Sequence, residues 1–148
     1  MKFKIDKANI INEFQSLAAV ADKKQTLPIL SNILIRCDVG EIRMLSTDLE
    51  VELEVVLDGH SVEAPGETTI PAKKAADIIR ELPEGEVSFS LSDESSKLTV
   101  KSSSGRYNLS TIPGSDFPDF DVVKSEEVHT ISTEKLRELF HKTSFAMA

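Results

Sequence analysis

The stretch FKIDKANIINEFQSLAAVA, residues 3–21, decides the fold. A short apolar run ends at Ile5, and Asp6 stands where a helix N-cap belongs. Ile10, Ile11, Phe14, Leu17 and Ala18 then recur at helical spacing. The pattern predicts an amphipathic helix reached from a strand.

The same text returns at residues 129–148 as HTISTEKLRELFHKTSFAMA. Laid on the first copy without gaps, Ile131 falls on Ile5, Ser132 on Asp6, Leu136 on Ile10 and Phe140 on Phe14. Strand, polar cap and apolar face agree in order, at a spacing close to one domain length, so a second domain is expected to begin here. A fainter echo lies between the two. Ile78, Ile79, Glu81 and Leu82 repeat the texture of Ile10, Ile11, Glu13 and Phe14, again after a short strand, which ends at Ile70. Either one domain is two half-units of strand, helix and further strands, or two amphipathic helices merely look alike.

At 148 residues, with 40% hydrophobic and 28% charged residues, the chain has the composition of an ordinary globular protein. The start, MKFKIDK, has no apolar core of signal-peptide length, and no run approaches the ~20 residues of a membrane span. A cytoplasmic location without membrane contact is therefore expected. The single Cys37 follows the apolar run ILIR and reads as a small strand hydrophobe; one cysteine builds neither a disulfide nor a zinc framework.

A net charge of −8 argues at first sight against a nucleic-acid partner, because affinity for the backbone comes from Lys and Arg on phosphates. The distribution is uneven. Residues 1–24 set Lys2, Lys4, Lys7, Lys23 and Lys24 against Asp6, Glu13 and Asp22, and residues 71–82 set Lys73, Lys74 and Arg80 against Asp77 and Glu81. The helix-bearing segments are thus expected to be mildly positive and the strand-bearing segments acidic.

Along the chain, strands are expected over Ile29–Cys37, Glu41–Thr47, Glu50–Asp58, Thr68–Ile70, Val87–Leu91, Leu98–Lys101 and Arg106–Ile112. Asp38-Val39-Gly40 reads as a hairpin turn and Gly59–Glu67 as a loop. Pro71 is expected in the first turn of a second helix that Pro83 and Gly85 end. In Glu50–Asp58, Val51, Leu53 and Val55 alternate with Glu50, Glu52 and Glu54, a wet face rather than a metal site. Lys101-Ser-Ser-Ser-Gly105-Arg106 lacks the lysine after glycine that a phosphate loop needs and reads as a hairpin turn. Asp116-Phe117-Pro118-Asp119-Phe120-Asp121 reads as a connector pinned by its two phenylalanines. His60, His129 and His141 pair with no nucleophile and orienting acid, so no catalytic triad is supported.

Five segments in order resemble the bacterial DNA polymerase III beta subunit family, the replicative sliding clamps. They are MKFKIDKANI, QTLPILSNILI, STDLEVELE, TTIPAKKAADIIRELPEG and RYNLSTIPGSDFPDF. The resemblance implies an α+β DNA-clamp (processivity) fold, a duplicated helix-plus-strands unit with two helices on one face of antiparallel sheets. It implies a clamp domain over residues 1–121, an interdomain connector over 122–128 and the start of a second clamp domain over 129–148. The activity implied is non-catalytic and needs no cofactor. The resemblance also implies a homodimeric ring that encircles double-stranded DNA and tethers the replicative polymerase, which would dock with the clamp loader on later domains. A chain of this length is expected not to close such a ring alone.

By the same resemblance Lys24 and Lys73 match basic positions that approach DNA. Lys74, Ile78 and Leu82, with Tyr107 and Leu109, match the ring-closing surface. Two rival classes remain at this point. One is a metal-dependent hydrolase built on Asp116, Asp119 and Asp121; the other is a small protein-interaction domain without a DNA role.

Overall fold

The computed structural model describes residues 1–21, 27–92, 96–118 and 129–147. It divides the chain into two units, Met1–Pro118 and Asp119–Ala148. In the first, the described residues form β1 (Lys2–Asp6), α1 (Ile11–Val20), β2 (Asn32–Asp38), β3 (Glu41–Thr47), β4 (Glu52–Leu57) and β5 (His60–Ala64). There follow β6 (Gly66–Pro71), α2 (Ala72–Glu81), β7 (Glu86–Leu91), β8 (Lys97–Lys101) and β9 (Arg106–Ser110).

The strands make two antiparallel sheets. One has the order β5-β1-β7-β8-β9 and the other β4-β3-β2-β6. This order gives the half-unit echo a physical form. The run β1-α1-β2-β3-β4 corresponds to β6-α2-β7-β8-β9, and each run lends its first strand to the other's sheet. β1 lies beside β7, and β6 lies beside β2. The two halves are therefore interlocked, each completing the sheet of the other. β5 is an addition outside this correspondence, paired to the free side of β1.

Alternation along the strands feeds one core. Phe3 and Ile5 of β1, Ile33 and Ile35 of β2, Val87 and Phe89 of β7 are buried, together with Ile10, Phe14 and Leu17 of the first helical segment and Ala75, Ile79 and Leu82 around the second. α1 and α2 touch each other, α1 lying against β3 and β4 and α2 against β2 and β6. The rings of Phe3, Phe89 and Phe14 are stacked, with centroids 4.6 Å apart for the first pair and 6.1 Å for Phe14 and Phe89.

Several boundaries differ from the sequence expectation. Asp6 caps a 3-10 turn, Lys7–Asn9, by accepting a hydrogen bond from the Ala8 N–H, and α1 starts a turn later, at Ile11. Pro28–Ser31 wind into another 3-10 turn, closed by the Ser31 hydroxyl on the Pro28 carbonyl at 2.7 Å, so β2 begins at Asn32 rather than Ile29. Pro71 ends β6 and stands at the N-cap of α2 instead of in its first turn. The expected loop at Gly59–Glu67 contains β5, whose mixed composition HSVEA hides a strand that pairs with β1. Val51 is exposed in the turn before β4, while Leu53 and Val55 are half-buried. The hairpin at Asp38-Val39-Gly40 forms as read, with Gly40 at φ +87°.

In the second unit, α3 (Thr133–Thr143) is capped by Ser132, whose hydroxyl accepts from the Lys135 N–H at 3.3 Å. Glu138 bridges Lys135 and Lys142, and those two ammonium groups hold its carboxyl below the usual carboxylate range. Leu136, Leu139 and Phe140 share one face at helical spacing and are exposed. Residues 129–132 do not form the strand expected before this helix, and the described residues of this unit include no strand that could pair with one.

Candidate functional site

The described residues singled out for polyanion contact and for ring closure fall on or at the end of α2 and on β9. Lys73 and Lys74 are exposed in the first turn of α2, and Ile78, one turn on, is half-buried. Leu82 at the C-terminus of α2 and Leu109 on β9 are 2% and 5% exposed and belong to the core. Tyr107 lies two residues before Leu109 on the same face of β9 and is 37% exposed. Of this set, Lys74, Ile78 and Tyr107 offer surface to a partner, while Leu82 and Leu109 lie beneath. β9 pairs with β8 on one side and forms the edge of its sheet, so among the described residues its other backbone edge has no ladder. Lys24 lies outside the described residues.

The C-terminal end of α2 is held from across the molecule. The Lys7 side chain is 8% exposed, and its Nζ donates to the Leu82 carbonyl at 2.6 Å and to Glu84 Oε1 at 3.2 Å. The Lys7 N–H also donates to the Gly85 carbonyl at 3.0 Å. A buried ammonium at a helix C-terminus satisfies an orphan carbonyl and complements the helix dipole. No sequence pattern announces it, since Lys7 reads there as one more surface lysine.

The charge map corrects the segment-by-segment expectation. Lys2 and Lys4 belong to the five-stranded sheet, where Lys2 pairs with Glu63 at 2.6 Å and Lys4 with Glu86 at 3.3 Å. The Lys2 ammonium holds the Glu63 carboxyl below the usual carboxylate range. Lys7 is buried, and α1 itself carries Glu13 as its one charged residue. On α2, Arg80 is committed to Asp77 at 3.1 Å and Glu81 at 3.2 Å. Of the cations on α1 and α2, those presented to solvent without an ion-pair partner among the described residues are therefore Lys73 and Lys74.

The acidic strand β4 behaves as an ordinary wet face. Arg43 on β3 joins Glu54 and Glu41, each at 3.0 Å, and these hydrogen bonds raise the guanidinium's already high pKa. Asp116 ends the 3-10 turn Gly114–Asp116, whereas Asp119, Phe120 and Asp121 lie outside the described residues. Phe117 is buried within the first unit. Among the described residues no group of three or more His, Cys, Asp or Glu side chains is placed to hold a metal ion. His60 Nδ1 sits 2.7 Å from the Leu57 carbonyl, a turn contact. None of the described helices is long and apolar enough to cross a membrane.

Comparison with known proteins places this architecture. The family described as DNA polymerase III beta subunit, N-terminal domain, matches residues 1–121. A beta sliding clamp of Pseudomonas aeruginosa is 40% identical over 150 residues, a match that covers 100% of this chain and 40% of the relative. A crystal structure of the DNA polymerase III subunit beta from Pseudomonas aeruginosa superimposes with a TM-score of 0.91 at 36% identity, again over 100% of this chain and 40% of that one. A pol III beta of Caulobacter crescentus gives 0.90 at 31% identity with the same coverage. The chain thus spans about two fifths of the length of the relatives it matches.

Proposed function

The chain belongs to the DNA polymerase III beta subunit family, and we propose that it supplies the first domain of a sliding clamp. In this reading residues 1–121 are one clamp domain, 122–128 a connector and 129–148 the start of a second, equivalent domain. The likeness of the 129–148 text to residues 3–21, with Ser132 capping α3, supports the second-domain reading.

The whole protein acts without chemistry. A closed ring on duplex DNA cannot leave sideways, so its lining needs only weak, salt-sensitive contacts with phosphates. Exposed Lys73, with Lys24, supplies such contacts. Lysine gives a point charge rather than the bidentate fork of arginine, which suits a sliding surface. A polymerase tethered to the ring rebinds at high effective concentration, and processivity follows. Lys74, Ile78 and Tyr107, supported from beneath by Leu82 and Leu109, form the surface that closes the ring against another protomer. The polymerase and clamp loader dock on domains beyond this chain. The protein works in the cytoplasm, where the chromosome it serves is replicated.

The observation that carries this reading is the match to beta sliding clamps along all 148 residues. A chimera tests it, with these 148 residues replacing their counterparts in the Pseudomonas aeruginosa relative. The chimera, loaded on a nicked circular duplex, is expected to stay bound and to be lost when the circle is cut. Equal retention on linear and circular DNA would overturn the topological reading. By itself the 148-residue chain is expected to show no saturable micromolar binding to a labelled duplex.

A further inference from the structure

The surface proposed to close the ring is assembled from elements that rest on different sheets. Lys74 and Ile78 stand on α2, which lies against β2 and β6 of the four-stranded sheet, while Tyr107 stands on β9 of the five-stranded one. A partner that touches both at once needs the helix held at one height against the five-stranded sheet. Apolar packing holds the two together but is non-directional, whereas a hydrogen bond is specific in distance and angle.

Lys7 makes that directional tie. It directly follows β1, the neighbour of β7 in the five-stranded sheet. From there its Nζ donates to the Leu82 carbonyl at the C-cap of α2, 2.6 Å away. Its N–H donates at 3.0 Å to the Gly85 carbonyl, in the connection between α2 and β7. The Leu82 N–H in turn donates to the Ile78 carbonyl at 3.1 Å. Two hydrogen bonds through the Leu82 residue therefore lead from the end of β1 to Ile78. Glu84, whose side chain is 79% exposed, meets the same ammonium at 3.2 Å from the solvent side.

We infer, on the reading of this chain as a clamp domain, that Lys7 is a positioning residue for ring closure: it fixes α2 against the five-stranded sheet, so that Ile78 and Tyr107 meet the partner as one surface. At 8% exposure the Lys7 side chain acts through α2 and not by touching the partner. Burying an ammonium costs more solvation than burying an apolar chain of the same length, and what it gives in return is a fixed geometry. A helix end that only had to be stable could be closed by its own backbone or by a local cap. Here the donor comes from a residue 75 positions away, on the sheet that carries Tyr107.

The experiment measures how long the Pseudomonas aeruginosa chimera stays on a closed circular duplex, beside the urea midpoint of each variant. Lys7→Met should leave closed circles about tenfold faster, the effect of a buried acceptor left without its donor. Lys7→Arg, which keeps a donor for the Leu82 carbonyl, should restore the lifetime. Met44→Ala, in the core on β3, should lower the midpoint at least as far as Lys7→Met and leave the lifetime unchanged. Should Lys7→Met fail to fold, Glu84→Lys decides the matter: it sets a like charge beside the ammonium at an exposed position and should shorten the lifetime about threefold. An unchanged lifetime for Lys7→Met, or for Glu84→Lys in its place, would overturn the inference, as would equal shortening by Met44→Ala. Loss of the unsubstituted chimera from closed circles as fast as from linear DNA would instead remove the clamp reading, and this inference with it.

Discussion

Phe3 stands directly opposite Phe89 on the neighbouring strand, and their rings stack with planes 9° from parallel. One belongs to the strand that opens the chain and the other to the strand that follows α2, so the contact ties the two halves of the domain at their point of exchange. Phe14 also stacks with Phe89, their ring centroids 6.1 Å apart. Phe89 is the ring common to both contacts.

Phe89→Ala should therefore cost about 3–5 kcal/mol, the range for removing a fully buried aromatic side chain. Because each half completes the other's sheet, the loss should appear as a lower midpoint of a single urea transition, coincident by circular dichroism and by Tyr107 fluorescence. Separate transitions for the two sheets would contradict the interlocked topology.

Lys7→Met keeps the apolar stem but leaves the Leu82 carbonyl without its side-chain donor. The expected cost is about 1–3 kcal/mol, that of an unsatisfied buried acceptor. Amide hydrogen exchange in the last turn of α2 should quicken more than in α1, since Lys7 fastens that end specifically. Uniform quickening throughout the domain would assign Lys7 a general role in stability only.

Acid should loosen the turn at Asp48. Its Oδ1 accepts from the Val51 N–H at 2.7 Å and the Glu50 N–H at 2.9 Å, and these bonds, that from Val51 foremost, hold its carboxyl below the ordinary 3.8. With the folded value depressed, the contribution to stability is complete above the unfolded carboxyl range and disappears as pH falls through the lower folded value. The same turn holds Leu49 at φ +76°, an unfavourable conformation for leucine that these bonds help to maintain. Asp48→Asn should melt earlier than the parent at neutral pH, and the gap should narrow in acid. A gap that is constant between about pH 2 and pH 7 would show that the carboxylate charge is not the cause.

Cys37 should be inert in the folded protein. It is buried in β2, and burial pushes its thiol up from the usual value, which leaves little thiolate to react. A disulfide reagent at pH 8 is expected to label it in step with unfolding. Rapid stoichiometric labelling of the native chain would mean that β2 opens locally.

Periodicity in the sequence determined the two amphipathic helices and the edges of β3 and β8 to within a residue, because alternation and 3.6-residue spacing are local properties that neighbouring residues enforce on one another. It also determined the echo between the IINEF and IIREL segments. Tertiary structure alone decided the exchange of β1 and β6 between the sheets, since a strand of five or six residues carries no mark of which partner it pairs with. It decided that HSVEA becomes β5, that Lys7 turns inward to the end of α2, and that Leu82 and Leu109 are core while Ile78 and Tyr107 reach the surface. Each of these depends on what lies opposite a residue in space, 55 to 88 positions away along the chain for β1 and 75 for Lys7, and no local pattern encodes that distance.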